Sequence, residues 1–425
     1  MSKEYCSMNK DELANELKAV EEKYNEFKAL GLKLDMSRGK PAPEQLDLSL
    51  PMMDVLNSES DYFSSVDCRN YGVNDGIPEA KKLIADLMGV TSEEVVIYGN
   101  SSLNIMFDTI TKAMIKGIMG NTPWVKNDKV KFLCPVPGYD RHFSVTEYYG
   151  IEMINIPMNS DGPDMDMVEQ YVNNDPDVKG IWCVPKYANP NGISYSDDVV
   201  KRFAALKPAA KDFRIFWDNA YCVHELYSEN QDKILNILDE CKKNGNEDMV
   251  YIFCSTSKIT LPGSGVAALV TSVNNVKDML SHTKWQTIGH DKINQLRHVR
   301  FFKNADGVIA HMDKHAELLR PKFELVEKVF EEELGGLGIG SWTMPRGGYF
   351  ISFEAMDDCA KEIVKTAKEA GVVLTGAGAT YPYGKDPKDS NIRIAPSYPS
   401  LDELEKAARL FTICVKLVSL RKLMA

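Results

Sequence analysis

Six short apolar runs recur along the middle of the chain: VKFLC (130–134), IEMINI (151–156), GIWCV (180–184), FRIFW (213–217), VYIFC (250–254) and VAALVTS (266–272). Each is too short for a helix core and rich in β-branched or aromatic residues, which suits strands buried on both faces. Helical or polar segments separate most of them. Such alternation dictates an α/β fold built on a mostly parallel sheet with helices on both faces. In sheets of this kind, chemistry collects at the carboxyl ends of the strands. Those ends carry Pro137-Gly138-Tyr139, then Pro185 and Asn189-Pro190-Asn191-Gly192, then Asp218-Asn219-Ala220-Tyr221, then Ser255 to Lys258. Every one is polar or aromatic and follows directly on an apolar run.

The last of these turns is the most informative. The segment MVYIFCSTSKITLPGSG (249–265) passes from a buried strand into small hydroxyl residues, presents Lys258, and turns through Leu-Pro-Gly-Ser-Gly. A lysine there is either a solvated surface charge or a partly desolvated amine. Desolvation lowers an amine's pKa, and the neutral amine can then attack a carbonyl.

Upstream, VVIYGNSSLNIMFDTITKAMI (95–115) reads as strand, tight turn and helix, with Ser101 and Ser102 at the helix start. Free N–H groups, hydroxyls and the helix dipole converge on an anion at such a place, although a plain serine cap has the same pattern. Further back, apolar positions Leu13, Leu17, Val20, Tyr24, Phe27 and Leu30 form one helical stripe ended by Gly31. In LDMSRGKPAPEQLDLS (34–49), Pro41 and Pro43 predict an extended loop rather than a helix. There Arg38 and Lys40 flank Gly39, either as solvated charges or as a backbone and cation site for an anionic substrate. NYGVNDG (70–76) is a turn-rich loop leading into a helix that closes on Gly89.

Composition narrows the class. A formal charge of −11 argues against nucleic acid or an anionic membrane as main partner. Nine cysteines without a ligand spacing read as reduced, buried thiols of a cytoplasmic protein, with no metal site. No apolar run approaches a membrane span, and the polar start MSKEYCSMNKDEL lacks a signal-peptide core.

Taken in order, YGVNDGIPEAKKLIADLMG, the strand–Ser–Ser–helix turn, PGY, NPNG, DNAY, STSK, RGGYF (346–350) and NIRIAPSYP (391–399) resemble the class I aminotransferases of fold type I, which use pyridoxal phosphate. The variants NPNG, PGYDRHF and STSKITLPGSG resemble a divergent bacterial subgroup of aspartate aminotransferases related to the aminotransferase-like part of MocR-type regulators. The resemblance implies a seven-stranded, mostly parallel sheet in a large domain (51–310). It also implies a smaller α+β domain made from both chain ends (1–50 and 311–425).

The resemblance also implies roles. Lys258 is the Schiff-base lysine and later the proton carrier at the substrate Cα. Asp218 faces the pyridine nitrogen of the cofactor and keeps it protonated. Tyr221 and Asn189 bind the ring's phenolic oxygen, and Tyr139 stacks on the ring. Ser101, Ser102 and Ser255 surround the phosphate, joined by Tyr71 from the partner of a homodimer with shared sites. Arg393 grips the substrate α-carboxylate, because a planar guanidinium holds a carboxylate with two parallel bonds; Gly39 and Asn189 complete the substrate site.

Two positions depart from the family. Many relatives carry a phosphate-clamping arginine eight residues after the lysine, where this chain has Val266. The side-chain selector is also open among Arg38, Arg141, Lys292 and Arg297. The expected reaction moves an amino group from aspartate to 2-oxoglutarate. The alternatives are alanine, aromatic amino acids or kynurenine as donors, or a cofactor-binding regulator without catalysis. A regulator of that kind carries a basic helix-turn-helix domain ahead of the fold, and the residues before Leu34 are instead acidic.

Overall fold

A computed structural model describes residues 3–425. Eight strands form the main sheet: β1 (Val95–Ile97), β2 (Lys131–Val136), β3 (Glu152–Asn159), β4 (Gly162–Pro163), β5 (Val178–Cys183), β6 (Arg214–Asp218), β7 (Val250–Ser255) and β8 (Ala267–Thr271). Their spatial order is β1-β8-β7-β6-β5-β2-β3-β4. The five central strands, β3-β2-β5-β6-β7, are parallel. The apolar runs arise because both faces are covered. On β6, Ile215 and Trp217 enter one core while Phe216 enters the other. On β7, Val250, Ile252 and Cys254 face the first core, and Tyr251 and Phe253 the second.

The sheet is mostly parallel, as expected, and differs from expectation in its strand number. It has eight strands rather than seven, the extra one being the two-residue edge strand β4, antiparallel to β3. Beside the parallel centre, β8 runs antiparallel to β7. Residues 256–266 hold only turns and a short 3-10 segment, Pro262–Ser264. A parallel return needs a crossover of a dozen or more residues, usually a helix.

Five helices matter for the site: α1 (Lys10–Ala29), α2 (Ser102–Lys116), α3 (Asp140–Tyr148), α4 (Ala305–Leu334) and α5 (Leu401–Met424). Helix α1 starts in a capping box between Asn9 and Glu12 and buries Leu13, Val20 and Tyr24, whereas Leu30 lies exposed just past its end. Its apolar face joins one core with α4, α5 and a second antiparallel sheet, β9-β10-β11, formed by Gly340–Trp342, Ile351–Ala355 and Asn391–Ile394. The two ends of the chain thus pack together. Leu34–Asp35 pairs in parallel with Val372–Val373.

The Leu34–Ser49 stretch corrects a further expectation. It is not extended throughout: Pro43–Asp47 is a short helix with Pro43 at its first position. Proline's missing N–H costs nothing in the first turn, so the residue that would break a helix interior starts one here. All nine cysteines are free, but Cys6 is exposed and Cys222 half-buried, so not all are core thiols.

Candidate active site

The carboxyl ends of β2, β5, β6 and β7 converge with Ser37–Gly39 and β11 on one cavity of about 410 Å³. Its wall includes Gly39, Tyr139, Asn189, Tyr221, Lys258 and Arg393. Six of the residues singled out from sequence therefore share one space, although 354 positions separate Gly39 from Arg393 (393 − 39).

Lys258 sits in the turn after β7, its Nζ 5.0 Å from the centre of the Tyr221 ring. Burial lowers its pKa; the Asp218 charge opposes this, and Arg393 adds to it. Burial and nearby anionic groups push the Tyr139 hydroxyl up to about 12 and that of Tyr221 well above its usual value, so both phenols stay protonated as hydrogen-bond donors.

Asp218 ends β6 and is 3% exposed. Its Oδ2 pairs with His142 Nε2 at 2.9 Å, whereas the buried Oδ1 has no partner. A buried carboxylate oxygen left unpaired is costly, so Oδ1 fits a donor supplied by a bound group. His142 lies one helical turn beyond Tyr139. Its ring stacks on Trp182 with centroids 4.3 Å apart and planes 7° apart, and Trp182 is fixed by donating to Thr146 Oγ1 at 2.8 Å. Sequence reasoning did not single out His142; the spacing in PGYDRHF, which puts it three residues after Tyr139, was the available signal.

The turn before α2 lies against the Lys258 loop. Ser257 Oγ donates to the Asn100 carbonyl at 3.1 Å and receives from Ser255 Oγ at 3.0 Å. Ser101 occupies the cap position of α2 but makes no side-chain capping bond, so its hydroxyl is not spent as a plain cap. Ser102 is the first residue of that helix. Ser101 and Ser102 thus bring hydroxyls to the positive end of a fifteen-residue helix, and Ser255 is linked to the turn before it through Ser257. Val266 is buried, and its N–H donates to Thr256 Oγ1 at 2.9 Å, so this position supplies no cation.

Arg393 projects from β11 with its side chain 7% exposed. Its Nη1 meets Asp140 Oδ1 at 2.9 Å and Asn189 Oδ1 at 3.2 Å. Thr375 Oγ1 accepts from Nε at 3.4 Å and Nη2 at 3.3 Å. The Phe350 ring lies 4.8 Å from the guanidinium carbon, and a Cβ built on Gly39 would come within 2.4 Å of that same ring. Glycine is what lets the 34–49 loop approach. Asp140, Thr375 and Phe350 were not anticipated.

Of the four cations considered as selectors, Arg38 and Arg141 line the cavity. Lys292 and Arg297 do not. Lys292 donates to the Gly72 carbonyl at 2.9 Å, and Arg297 bonds Asn294 on its own helix. Tyr71 is also outside this cavity and is 80% exposed. Among the described residues no group of His, Cys, Asp or Glu could hold a metal ion.

These residues fit pyridoxal phosphate: an acceptor without a donor in Asp218 Oδ1, phenol and amide donors in Tyr221 and Asn189, a hydroxyl-lined helix start, and a desolvated amine. Comparison with known proteins agrees. The family model described as aspartate amino-transferase matches residues 8–425. A curated aspartate aminotransferase from Corynebacterium glutamicum is 46% identical over 403 residues, covering 94% of this chain and 93% of that one. The crystal structure of an aspartate transaminase from the same organism superposes with a TM-score of 0.96, at 44% identity over 100% of both chains. More remotely, LysN, an α-aminoadipate aminotransferase from Thermus thermophilus solved with N-(5'-phosphopyridoxyl)-L-leucine, shares the fold at a TM-score of 0.75 and 18% identity, covering 92% of this chain and 93% of that one.

Proposed function

The chain belongs to the aspartate aminotransferase family, and from that premise we propose that it transfers the amino group of L-aspartate to 2-oxoglutarate, yielding oxaloacetate and glutamate. It is an aminotransferase, and its cofactor is pyridoxal 5'-phosphate. The observation that carries the site assignment is the unpaired Oδ1 of buried Asp218 beside a desolvated Lys258.

Bound here, the cofactor supplies a carbonyl carbon for amines and a ring that accepts electrons released at the substrate Cα. The protein does the rest. Asp218, held in place by His142, keeps a proton on the ring nitrogen. Asn189 and Tyr221 donate to the phenolic oxygen, and Tyr139 covers a ring face. Ser101, Ser102 and Ser255 hold the phosphate without the usual arginine. Lys258, whose pKa burial lowers, would take the Cα proton and deliver it to the cofactor carbon that carries the nitrogen. Arg393 fixes the α-carboxylate, with Gly39 and Asn189 beside it. The distal carboxylate goes to Arg141 or Arg38, since burying it unpaired would cost several kcal/mol.

The working unit is a homodimer in which Tyr71 reaches the partner's phosphate site. Supporting this, Tyr71, Trp285 and Ile288 are 80%, 83% and 62% exposed on the single chain. Residues 51–310 form the cofactor domain, and 1–50 with 311–425 the smaller one. The separate cores and the pairing of Leu34–Asp35 with Val372–Val373 support that division. No helix among the described residues is long and apolar enough to cross a membrane; the cytoplasm is the proposed location.

The test is a half-reaction screen. Purified yellow enzyme is mixed with aspartate, alanine, phenylalanine or kynurenine, and the loss of its absorbance band is followed. Aspartate should give the highest kcat/KM, and Arg141→Met or Arg38→Met should lower that value selectively. An alanine or aromatic substrate favoured by about tenfold, or about 1.4 kcal/mol, would refute the dicarboxylate assignment.

A further inference from the structure

The Arg393 guanidinium is almost fully committed to the protein. Of its five N–H groups, two point at Thr375 Oγ1, one at Asn189 Oδ1 and one at Asp140 Oδ1. A bidentate carboxylate takes two parallel N–H groups, and only one, on Nη2, is uncommitted. The Nε side is blocked by Thr375, whose hydroxyl is itself anchored by donating to the Ser37 carbonyl at 2.6 Å. The end-on side needs an Nη1 hydrogen held by Asn189 or Asp140. Asn189 is 4% exposed and fixed in its loop.

Asp140 differs from the other partners. It is an anion like the incoming group, its side chain is 33% exposed, and it stands at the first position of α3. Free N–H groups of that first turn and water can satisfy its carboxylate elsewhere. Arg141 beside it lines the same cavity and has no ion pair among the described residues. We propose that Asp140 is a built-in competitor for the substrate α-carboxylate: it holds the Arg393 guanidinium until an amino or 2-oxo acid displaces it, and so sets the affinity for both substrates. This rests on the assignment of Arg393 as the α-carboxylate grip.

The apparent affinity for a ligand falls by the fraction of time its site is competent. If Asp140 occupies the grip two-thirds of the time or more, its removal should tighten binding at least about threefold. Asp140→Asn keeps shape and removes charge. In the holoenzyme this variant should lower KM for aspartate and for 2-oxoglutarate, and the inhibition constant of succinate, by that factor or more. Constants unchanged within about twofold, a rise in KM, or a fall for only one substrate would overturn the proposal, because both substrates present the same α-carboxylate. A rise would make Asp140 a positioning residue that orients Arg393. Asp140→Ala, checked for bound cofactor by its absorbance, repeats the test should the Asn variant fold poorly. Arg393→Lys separates the two assignments. If it leaves KM unchanged, Arg393 is not the grip; if it raises KM while Asp140→Asn brings no gain, only the Asp140 proposal fails. In the Arg393→Lys background, Asp140→Asn should give no gain.

Discussion

Replacing Asp218 with asparagine tests the centre of the site. The carboxylate has one oxygen on His142 Nε2 at 2.9 Å and one buried oxygen without a partner, which the proposed role gives to the cofactor's ring N–H. The carboxamide of Asp218→Asn can keep both contacts geometrically, with its oxygen toward the ring and its amide toward His142. What the variant loses is the charge. A hydrogen bond to a charged partner contributes about 1.5–3 kcal/mol, and at about 1.36 kcal/mol per factor of ten this alone is roughly 10- to 150-fold. The true loss should exceed this, because a ring nitrogen without its proton is a poorer electron acceptor. The assay is the single-turnover reaction of aspartate with cofactor-loaded variant, followed by stopped-flow absorbance, with cofactor content measured on the same sample. The expected result is a variant that folds, retains cofactor and reacts at least about tenfold more slowly. A rate within about threefold of the parent, with cofactor bound, would show that Asp218 does not control the ring proton.

Lys258→Ala should abolish turnover and leave no cofactor attached to the protein after borohydride treatment; a trapped adduct with normal turnover would assign the attachment to another residue. Gly39→Ala drives a methyl group to 2.4 Å from the Phe350 ring, and that ring packs on Arg393. KM for aspartate should therefore rise several-fold with little change in thermal midpoint, and an unchanged KM would show that the 34–49 loop does not shape the grip. The His298 pKa is pushed down to about 4, by burial first, in a ring bonded to Thr256 and Thr260 on the Lys258 loop. Since its folded value lies below its ordinary 6.5, the unfolded chain binds the extra proton, and stability falls as pH drops from about 6.5 towards 4. At pH 5.5 this amounts to about 1.4 kcal/mol; His298→Gln should flatten the pH dependence of the unfolding free energy from urea titrations by that much, and an unchanged pH dependence would refute the assignment.

The strand ends were legible because each buried strand writes an apolar run into the sequence and each reactive turn interrupts it. Tyr139, Asn189, Asp218, Tyr221 and Lys258 are all of that kind. Arg393 was legible for the converse reason, a charge set inside the apolar run NIRIAP. What was not legible lies in contacts between distant segments. Asp140 follows Tyr139 at a helix start, where an acid is ordinary, and nothing local says that it meets Arg393. Thr375 and Phe350 act through Arg393 and Gly39, so no spacing betrays them. An apolar run does not record which way a strand points, so the antiparallel direction of β8 shows only in the shortness of residues 256–266. The Pro43 helix was missed because proline ends helices in their interiors and begins them at their first turn.

The bond from Thr375 Oγ1 to the Ser37 carbonyl joins residues 338 apart. Closing a flexible chain over that span costs about 5 kcal/mol by the (3/2)RT ln n rule. The strands bearing Tyr139, Asn189, Asp218 and Lys258 close far shorter loops. During synthesis the N-terminal segment emerges first but has no pairing partner until Val372–Val373 has emerged. The wall proposed to grip the substrate is therefore the last part of the pocket that can be built, after the sheet proposed to anchor the cofactor. Refolding should recover cofactor binding ahead of activity, with a lag set by the meeting of the two ends of the chain.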